Sequence, residues 1–567
     1  MPTAMDDGTS SVVNRAMPQT DGQSIRVPET QPSERWIVLA VFVLTCAYLF
    51  LFRRYTTMDP DEGIILQGAQ RILQGQVLYR DFFSFLTPGS YYLLAFLFKI
   101  VGSSILAGRT MLVFFGGVFS VVTYLLARRV CLRWSALLVA GLVSISCLPY
   151  RFLVMHNWDS TLWASLSLYS AVRLLESRRS TPACCAWAFG AGSFASLTFL
   201  FEQSKGAGLV LGLGAGLVAI TLAEGRRSPL RGSPLAGLLA GLAWPLLVTF
   251  AWFGAMQGLS PMLRGWYWPL QHYSVVNRVP YGYQNWSDIT RESLFGSGSW
   301  SVRLLTVVAV SPCFLVPVLP LVALALMVYW ISRMWRQRAE PAKCAYYVLI
   351  NATLSGLLVS IVIARADIVH FMYLEPLFCL VLAWIIDGRH VPGRVFRAVR
   401  PLLNAVFATA FLAMSLALLL RTVNAPYQVE TRRGAITMPG RDTVVEYVQA
   451  RAAPGEAILV YPYLPLYYYL TATFSPTRYE YLMPAFHTIQ QSREMISQLA
   501  SQRVRVVLFE TSFAEKIPTS WPGTPLTAIV SDPVADYILQ NYRACTVLQS
   551  PMHWRFLFML RKDLACS

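Results

Sequence analysis

The chain is dominated by long runs of apolar residues that are separated by short polar segments. A membrane-spanning helix needs roughly 20 apolar residues, within a range of about 17–25. Eleven runs near that length predict membrane-spanning helices: 36–52, 109–127, 134–150, 160–175, 183–200, 206–222, 234–256, 304–330, 345–363, 369–386 and 402–420. The pattern therefore predicts an all-α polytopic membrane domain.

The apolar run Tyr91–Val101 is different, because it is short and contains Lys99. A run of this length is typical of a re-entrant or interfacial helix. If it does not cross, the short basic segments, such as the one with Arg128, Arg129 and Arg133, all fall on one side, as cytoplasmic loops do. We therefore place the N-terminus in the cytoplasm and the C-terminus outside it, in the inner (plasma) membrane.

The two ends of the chain differ from this apolar middle. Residues 1–34 are rich in Ser, Thr, Pro and Gln and predict a disordered cytoplasmic tail. Residues 35–420 form the predicted membrane domain, with long outer loops at 53–108 and 257–303. Residues 421–567 predict a small extracytoplasmic α/β domain. Its predicted strands and helices are Ala457–Tyr461, Thr488–Gln502, Val504–Phe509, Asp536–Tyr542 and Trp554–Leu560.

Composition supports the membrane domain and excludes a purely soluble protein. Of the 567 residues, 55% are hydrophobic and 14% are charged, and the mean hydropathy is +0.47, whereas soluble proteins carry roughly 25% charged residues. The net charge of +17 comes from arginines dispersed between apolar runs, which orient a membrane protein. We therefore predict the lipid bilayer as a partner and no nucleic acid. Cys545 and Cys566 could form a disulfide if their domain faces an oxidising compartment.

The first outer loop opens with three carboxylates, Asp59, Asp61 and Glu62, directly after the first span. Apolar residues at helical spacing follow from Ile65 to Leu73 and predict an amphipathic helix on the membrane surface. Such a helix could hold an acid or a base at the level of the lipid headgroups. The alternative is that Asp59 and Asp61 only cap the helix N-terminus, as Asp often does. The sequence of this segment by itself favours neither of these two interpretations.

Ionisable side chains also gather at the outer ends of the later spans, where they mark functional sites by default. In the predicted topology they share one face with the first outer loop, whereas scattered structural charges would favour neither face. Cations at one headgroup plane suit an anionic phosphate, and a nearby carboxylate suits proton removal from a hydroxyl. These residues are Arg109, His156, Asp159, Glu202, Lys205, Arg365, Asp367 and His370.

The second outer loop is rich in aromatic residues, among them Trp266, Trp268, Tyr281 and Trp286. An aromatic belt at the membrane interface is the favoured interpretation. The other interpretation is a stacking surface for a sugar or a lipid.

Short motifs follow one another in a defined order along residues 36–390. They are Asp61-Glu62-Gly63, Gly75-x-x-Leu78-Tyr79-Arg80-Asp81, Pro88-Gly89-x-Tyr91-Tyr92, Arg109, Asp159, Lys205-Gly206 and Arg365-x-Asp367-x-x-His370. Their order and topology resemble the polyprenyl-phosphate-sugar-dependent glycosyltransferases of the GT-C superfamily. Relatives in that superfamily include protein O-mannosyltransferases, the aminoarabinose transferase acting on lipid A, and lipopolysaccharide-core galacturonosyl transferases. The resemblance implies a GT-C-like fold with juxtamembrane helices in the first outer loop.

The resemblance also implies an activity, that of a hexosyl- or pentosyltransferase. A sugar would move from a polyprenyl-phosphate donor to a hydroxyl of a glycan, lipid or protein on the extracytoplasmic side. Asp61 would be the catalytic base, and Glu62 and Asp159 would be further acidic groups of the site. The implied ligands of the lipid phosphate are Arg109, Lys205, Arg365 and His370, and the implied supporting residues are Asp81, Glu202 and Asp367. No cofactor is implied, and a divalent metal ion could bind the carboxylates although no ligand spacing requires one.

Two other functions remain open at this stage. A transporter or flippase of a lipid-linked or anionic substrate should have a repeat between its halves and charges at mid-membrane depth, and the sequence shows neither. A non-catalytic assembly factor would bind a partner through the C-terminal domain. Such a factor would stay active after replacement of the Asp61 carboxylate, whereas an enzyme would not.

Overall fold

The computed structural model describes residues 32–177, 181–225, 228–286, 288–337, 341–387, 394–481, 486–525 and 531–566. Each of the eleven apolar runs predicted to cross the membrane is helical. Most of the predicted N-terminal tail lies outside the described residues. Its last three positions are helical, because the first helix already begins at Pro32.

In chain order, the helices up to residue 423 are α1 (Pro32–Phe50), α2 (Pro60–Leu73), α3 (Gly89–Val101), α4 (Ile105–Val130), α5 (Arg133–Tyr150), α6 (His156–Glu176), α7 (Thr181–Phe201), α8 (Gln203–Glu224), α9 (Ser233–Ala255), α10 (Leu259–Trp268), α11 (Ser274–Asn277), α12 (Asp288–Phe295), α13 (Trp300–Gln337), α14 (Pro341–Ala364), α15 (Ile368–Asp387) and α16 (Arg394–Val423).

Within the described residues, nine helices are long and apolar enough to cross a membrane: α4, α5, α7, α8, α9, α13, α14, α15 and α16. The other two predicted spans, α1 and α6, are helices of 19 and 21 residues. Helix α6 is rich in serine, and its hydroxyls bond to carbonyls, as Ser165 does to Thr161 at 2.8 Å. The protein is therefore an integral membrane protein with the predicted polytopic helical fold.

Both long loops between spans contain short helices. The first loop holds α2 and α3, and the 13 residues of α3 form the apolar run that is too short to span. The second loop holds α10, α11 and α12, with a π-helical turn at Pro269–Tyr273. These later helices have 10, 4 and 8 residues. They were not predicted, because segments this short carry little hydrophobic periodicity.

The C-terminal part is a small α/β domain, as predicted. Its strands are β1 (Tyr427–Thr431), β2 (Gly434–Met438), β3 (Ile458–Tyr461), β4 (Val506–Glu510), β5 (Tyr542–Gln549) and β6 (Arg555–Arg561), and its helices are α17 (Val444–Arg451), α18 (Leu466–Leu470), α19 (Ile489–Ser501), α20 (Phe513–Ser520) and α21 (Pro533–Asn541). Strands β1 and β2 form a hairpin, and the others form a sheet of order β3-β4-β6-β5. Only β3 and β4 are parallel neighbours in that sheet.

The three predicted strands of this domain are confirmed as β3, β4 and β6, and the two predicted helices as α19 and α21. Helix α19 begins where its pattern indicates, because Thr488 and Gln491 form a capping box. The hairpin, β5 and the other helices were not predicted. Cys545 and Cys566 form the anticipated disulfide, with their Cα atoms 5.5 Å apart.

Helix α2 lies between the membrane helices and the C-terminal domain. Most of its apolar face is buried as the periodicity predicts, with Ile65 and Ala69 at most 1% exposed, whereas Leu73 at the end of the helix is 36% exposed. Its polar face is buried too, since Gln67 and Arg71 are 1% and 5% exposed. The guanidinium of Arg71 lies 3.0 Å from the Glu480 carboxylate of the domain. The polar face of α2 therefore contacts protein instead of water.

Helices α8 and α14 approach each other closely at glycines. A Cβ atom on Gly212 would lie 2.4 Å from the Ala352 carbonyl oxygen, and one on Gly356 would lie 2.2 Å from that of Gly208. No side chain larger than hydrogen fits at such distances without movement of a backbone. The same two helices form the wall of an apolar groove, so this close contact determines the shape of the groove.

The glycine contact can be tested with a pair of variants on α8. Gly212→Ala should lower the free energy of unfolding by about 1–3 kcal/mol, as overpacking typically does. Gly214→Ala is the matched control, because a Cβ atom at Gly214 would meet no atom within 4 Å. Thermal unfolding of both variants in nanodiscs measures the difference. Equal stability of the two variants would contradict the proposed packing.

Candidate active site

A cavity of about 1470 Å³ extends from the C-terminal domain to the groove between α8 and α14. The groove is lined by small and apolar residues, such as Leu211, Ala215 and Val359. The other end, which we call the chamber, is lined by charged and aromatic residues from α2, from the loops between helices and from the domain. An apolar groove that opens into a polar chamber fits an amphiphilic ligand with a charged head.

The start of α2 brings Asp61 to the chamber. Asp59 caps this helix, because its Oδ1 accepts a hydrogen bond from the Asp61 N–H at 3.0 Å, and Pro60 takes the first helical position. Both features favour a helix start. The carboxylate of Asp61 stays free of the cap and is 35% exposed in the chamber. The N-cap interpretation of this acidic segment therefore applies to Asp59, and the acid–base interpretation applies to Asp61.

Arg151 contacts both aspartates. Its Nη2 lies 2.7 Å from Asp59 Oδ2 and 2.9 Å from Asp61 Oδ2, and the Tyr463 hydroxyl donates a hydrogen bond to Asp61 Oδ1. Burial raises the pKa of Asp59 to about 6, a rise that Arg151 opposes and Asp61 strengthens. Arg151 was not among the predicted site residues. A signal existed, since this arginine directly follows a span on the face of the acidic cluster.

Glu62 and Arg109 form a buried ion pair behind Asp61. Arg109 donates to the two carboxylate oxygens at 2.9 and 2.5 Å, and both side chains are 0% exposed. Arg109 also donates to the Tyr55 carbonyl at 2.5 Å, and the Val154 N–H donates to Glu62 at 3.1 Å. The charges of these two predicted site residues therefore neutralise each other, and the pair joins α2 to α4 beneath the chamber.

Two further predicted carboxylates are held by local partners. Asp159 is 2% exposed and accepts a hydrogen bond from the Ser90 hydroxyl at 2.5 Å. Asp81 accepts one from the Val77 N–H at 2.7 Å and pairs with Arg80 through two contacts of 2.8 Å. Asp159 thus joins α6 to α3, and Asp81 closes the turn that follows α2.

Glu202 and Lys205 meet at the junction of α7 and α8. Lys205 Nζ lies 2.9 Å from Glu202 Oε2 and donates to Asn157 O, Ser160 Oγ and Thr161 Oγ1 at 2.9–3.0 Å. The Lys205 side chain is 2% exposed, whereas Glu202 lines the chamber. Lys205 therefore holds the Glu202 carboxylate against the first turn of α6.

Arg365, Asp367 and His370 line the chamber together at the junction of α14 and α15. Arg365 donates to Asp367, to Asn277 Oδ1 at 2.7 Å and to the Ser520 carbonyl at 2.5 Å. His370 Nδ1 lies 2.7 Å from Asp367 Oδ1. Although burial opposes ionisation, His370 and Arg365 hold the pKa of Asp367 well below its usual range. The carboxylate is therefore ionised and fixes both basic side chains.

The second outer loop and the C-terminal domain complete the chamber. Trp266, Trp268 and Trp286 of the loop line it, so the interpretation of these residues as an interfacial belt alone is incomplete. Tyr463 and Trp521 come from the domain. These two residues were not predicted, because no local pattern relates them to a site that lies hundreds of positions earlier.

The sequence left open whether the site binds a metal ion. The part of the chain that the structure describes contains no cluster of three or more His, Cys, Asp or Glu side chains arranged to hold a metal ion. Between Asp59 and Asp61, the position that a cation would occupy holds the guanidinium of Arg151. These residues therefore do not fit a metal site in this arrangement.

Comparisons with known proteins show a likeness of fold. No protein-family model matches the chain, and no curated protein matches it significantly. The chain is similar to ArnT from Cupriavidus metallidurans bound to undecaprenyl phosphate, with 13% identity and a TM-score of 0.50 over 94% of this chain and 99% of that one. The chain is also similar to ArnT from Cupriavidus metallidurans in the apo state, with 12% identity and a TM-score of 0.50 over 93% of this chain and 98% of that one.

An archaeal protein has the same degree of similarity. The oligosaccharyltransferase from Archaeoglobus fulgidus in complex with Zn and sulfate is 12% identical, with a TM-score of 0.50 over 91% of this chain and 73% of that one. These similarities over most of the chain confirm the predicted GT-C-like fold, a polytopic helical domain followed by a smaller C-terminal domain.

The role of the buried ion pair can be tested by its effect on stability. Glu62→Gln leaves the Arg109 charge buried without its partner, and breaking a buried pair costs about 3–5 kcal/mol. Glu494→Gln is the control, since Glu494 is 38% exposed and lies 3.7 Å from Arg478. Thermal unfolding in nanodiscs should show a large loss for the first variant only. A stable Glu62→Gln variant would contradict a structural role for the pair.

The raised pKa of Asp59 predicts a pH dependence of stability. The folded-state pKa of about 6 exceeds the ordinary value of 3.8. The stabilising contribution is therefore complete below about pH 4 and is lost as the pH rises through about 6. Asp59→Asn keeps a capping side chain but cannot titrate. The stability of the wild type relative to this variant should fall by roughly 1–3 kcal/mol between pH 4 and pH 7. A difference that does not change with pH would contradict the assignment.

Proposed function

We propose that the protein is an integral membrane glycosyltransferase of the GT-C type that uses a polyprenyl-phosphate-linked sugar. The observation that carries this proposal is the cavity, which joins an apolar groove to a chamber with the exposed Asp61 carboxylate and with basic side chains. The similar ArnT structure is bound to undecaprenyl phosphate, a ligand with an apolar chain and an anionic head. The acceptor would be a hydroxyl of a glycan, a lipid or a protein.

The geometry of α14 supports a position for the lipid. Asn351, Ser355, Val359 and Ile363 recur at intervals of four along the groove, which corresponds to a length of about 18 Å at 1.5 Å per residue. Arg365 follows directly at the chamber end of this row. A polyprenyl chain in the groove would therefore bring its phosphate to Arg365.

The basic side chains that would meet the phosphate are Arg365 and His370. A guanidinium has five N–H groups, and the contacts of Arg365 to Asp367, Asn277 and Ser520 use three different nitrogens. One N–H on each terminal nitrogen is left for a phosphate oxygen. His370 is 28% exposed in the chamber, and its imidazolium form would add the Nε2–H as a donor, because Nδ1 already contacts Asp367. Positive charge held at the leaving phosphate would stabilise the transition state.

Asp61 would act as the general base. It would accept the proton of the acceptor hydroxyl as the hydroxyl oxygen forms a bond to the anomeric carbon. At the same time the bond from that carbon to the phosphate oxygen would break, and the polyprenyl monophosphate would leave with the electron pair. A phosphate leaving group requires little protonation, so one positioned carboxylate is enough for the acid–base chemistry.

The buried charges would have positioning roles in this mechanism. Arg109 is neutralised by Glu62, so we propose that this pair orients α2 and hence Asp61. Lys205 is neutralised by Glu202, and we propose that it holds Glu202 at the chamber wall. Asp159 would join α6 to α3 through Ser90. Under this proposal the lipid phosphate contacts Arg365 and His370, and neither Arg109 nor Lys205.

We also propose the orientation in the membrane. Basic segments between spans alternate with the long loops along the chain, which favours a cytoplasmic N-terminus in the inner membrane. The chamber and the C-terminal domain would then be extracytoplasmic. The disulfide between Cys545 and Cys566 supports an oxidising compartment for this domain.

The transporter alternative is less well supported by the position of the charges. Buried charges of a transporter are expected near the bilayer midplane. Here the charged chamber residues lie at helix ends: Asp61 in the first turn of α2, Glu202 between α7 and α8, and Arg365 between α14 and α15.

Replacement of Asp61 tests the proposed reaction. Sugar transfer from a panel of undecaprenyl-phosphate-linked hexoses and pentoses would be measured in membrane vesicles that contain the full chain. Asp61→Asn removes the base and should lower the rate by about 10²–10⁴-fold, while binding of undecaprenyl phosphate is retained. Asp563→Asn, at a surface ion pair with Arg561, is the control and should keep the full rate.

The other outcomes of this experiment point to the other functions. Full transfer by Asp61→Asn would contradict its role as base. If neither the wild type nor any variant transfers a sugar, but the wild type moves undecaprenyl phosphate between leaflets, the protein is a flippase. If it does neither, the assembly factor becomes the better explanation.

A further inference from the structure

We propose that the C-terminal domain completes the active site, because its Tyr463 positions the carboxylate of Asp61. This inference rests on the proposed function, in which Asp61 is the base. It assigns a part in the reaction to a domain for which the sequence indicates none.

The two oxygens of the Asp61 carboxylate have different donors. The hydroxyl of Tyr463 donates to Oδ1, while Arg151 Nη2 lies 2.9 Å from Oδ2. Tyr463 is 5% exposed and lines the chamber. Because each oxygen has its own donor from a different part of the chain, rotation of the carboxylate about its side-chain bonds would break at least one contact. The pair therefore fixes the direction in which the carboxylate faces the chamber.

The backbone near both residues explains why the hydroxyl reaches Asp61. Gly63 lies two positions after Asp61, and a Cβ atom on Gly63 would be 2.0 Å from the Leu466 backbone nitrogen. Leu466 begins α18, three positions after Tyr463. The absence of a side chain at Gly63 thus allows α2 to touch the backbone of the domain, and this contact determines the distance from Tyr463 to Asp61.

Tyr463 is suited to donate a hydrogen bond. Burial and the neighbouring Asp61 carboxylate raise the pKa of Tyr463 well above its ordinary value, so the phenol keeps its proton throughout the physiological range. Its ring lies against Phe513 and Trp521, with centroids 6.4 and 6.3 Å away. These ring contacts do not involve the hydroxyl, so Tyr463→Phe should retain them and the fold.

Several other groups act electrostatically on Asp61 or are influenced by its charge. They are Asp59 before α2, Arg151 between α5 and α6, His156 at the start of α6, Tyr273 in the second outer loop and Tyr373 on α15. Loss of the Tyr463 hydroxyl removes one donor to the ionised carboxylate and leaves the others in place. The protonated form of Asp61 should then persist to higher pH.

The first test follows protonation of Asp61 without any sugar donor. A carbodiimide, dicyclohexylcarbodiimide, modifies protonated carboxyl groups, and peptide mass spectrometry of the full chain in nanodiscs separates the products at Asp59 and Asp61. The pH at which labelling of Asp61 is half-maximal should rise by roughly 1 pH unit in Tyr463→Phe. An unchanged labelling midpoint would overturn the inference.

A matched control is available within the same domain. The Tyr479 hydroxyl donates to the Glu494 carboxylate at 2.5 Å, so Tyr479→Phe removes the same type of contact at a pair of residues that does not line the chamber. This control should leave the Asp61 labelling midpoint unchanged. A shift of the same size in both variants would mean a general change in the domain and would also overturn the inference.

The second test uses sugar transfer. Tyr463→Phe should lower kcat by about 10-fold or more with little change in the KM for the undecaprenyl-phosphate-linked sugar, and the acid limb of its pH–rate profile should move upward with the labelling midpoint. In the Asp61→Asn background the same change should cost no further activity, because no carboxylate is left to position. A full additional loss in the double variant would contradict positioning through Asp61.

The two proposals fail in different ways. If Asp61→Asn keeps full transfer activity, the proposed function of Asp61 is wrong. If Asp61→Asn is inactive but Tyr463→Phe has the wild-type pH–rate profile and labelling midpoint, only the inference about Tyr463 is wrong.

Discussion

A charged side chain that is buried among apolar helices is costly unless an opposite charge is held against it. The residues around the chamber meet this requirement in pairs, some between distant elements and some within one helix junction, such as Lys205 with Glu202. The pair of Glu62 and Arg109 joins α2 to α4. Lys205 joins the start of α8 to Glu202 and to the first turn of α6. The need to neutralise each charge therefore determines which helix ends meet and leaves Asp61 exposed between them.

Helix α2 is a short element that contacts both the membrane domain and the C-terminal domain. Its apolar face belongs to the core that it shares with α3 and the domain, and its polar face contacts the domain through Arg71 and Glu480. Its first turn carries the acidic cluster. Because residues on both faces contact protein, packing sets the position of α2 and of the backbone that carries Asp61. Support of this kind favours preorganised electrostatics in an active site.

The cavity combines two environments that a water-soluble protein rarely places side by side. The groove between α8 and α14 is narrow and apolar because glycines let the helices approach. The chamber is polar because loops and the domain bring charged and aromatic groups over the end of that groove. A ligand with a long apolar chain would gain hydrophobic contacts in one part and charge-assisted hydrogen bonds in the other. The boundary between them lies near Arg365, at the end of α14.

Local pattern was enough to predict the spans, the short helix α3, and three strands and two helices of the domain, because hydrophobic periodicity and charge bias act within a few turns of chain. It also predicted that Asp61, Glu202, Arg365 and His370 lie on the same, outer side of the membrane. Glu202, Arg365 and His370 pair with ionisable neighbours within three positions. The partners of Asp61 could not be predicted, since they depend on long-range packing. Tyr463 lies 402 positions from Asp61, and their contact exists only because helix α2 and the domain touch at a glycine. The burial of charged side chains also depends on long-range packing. The sequence identifies a basic side chain, but only packing decides whether that side chain faces a ligand or another charge.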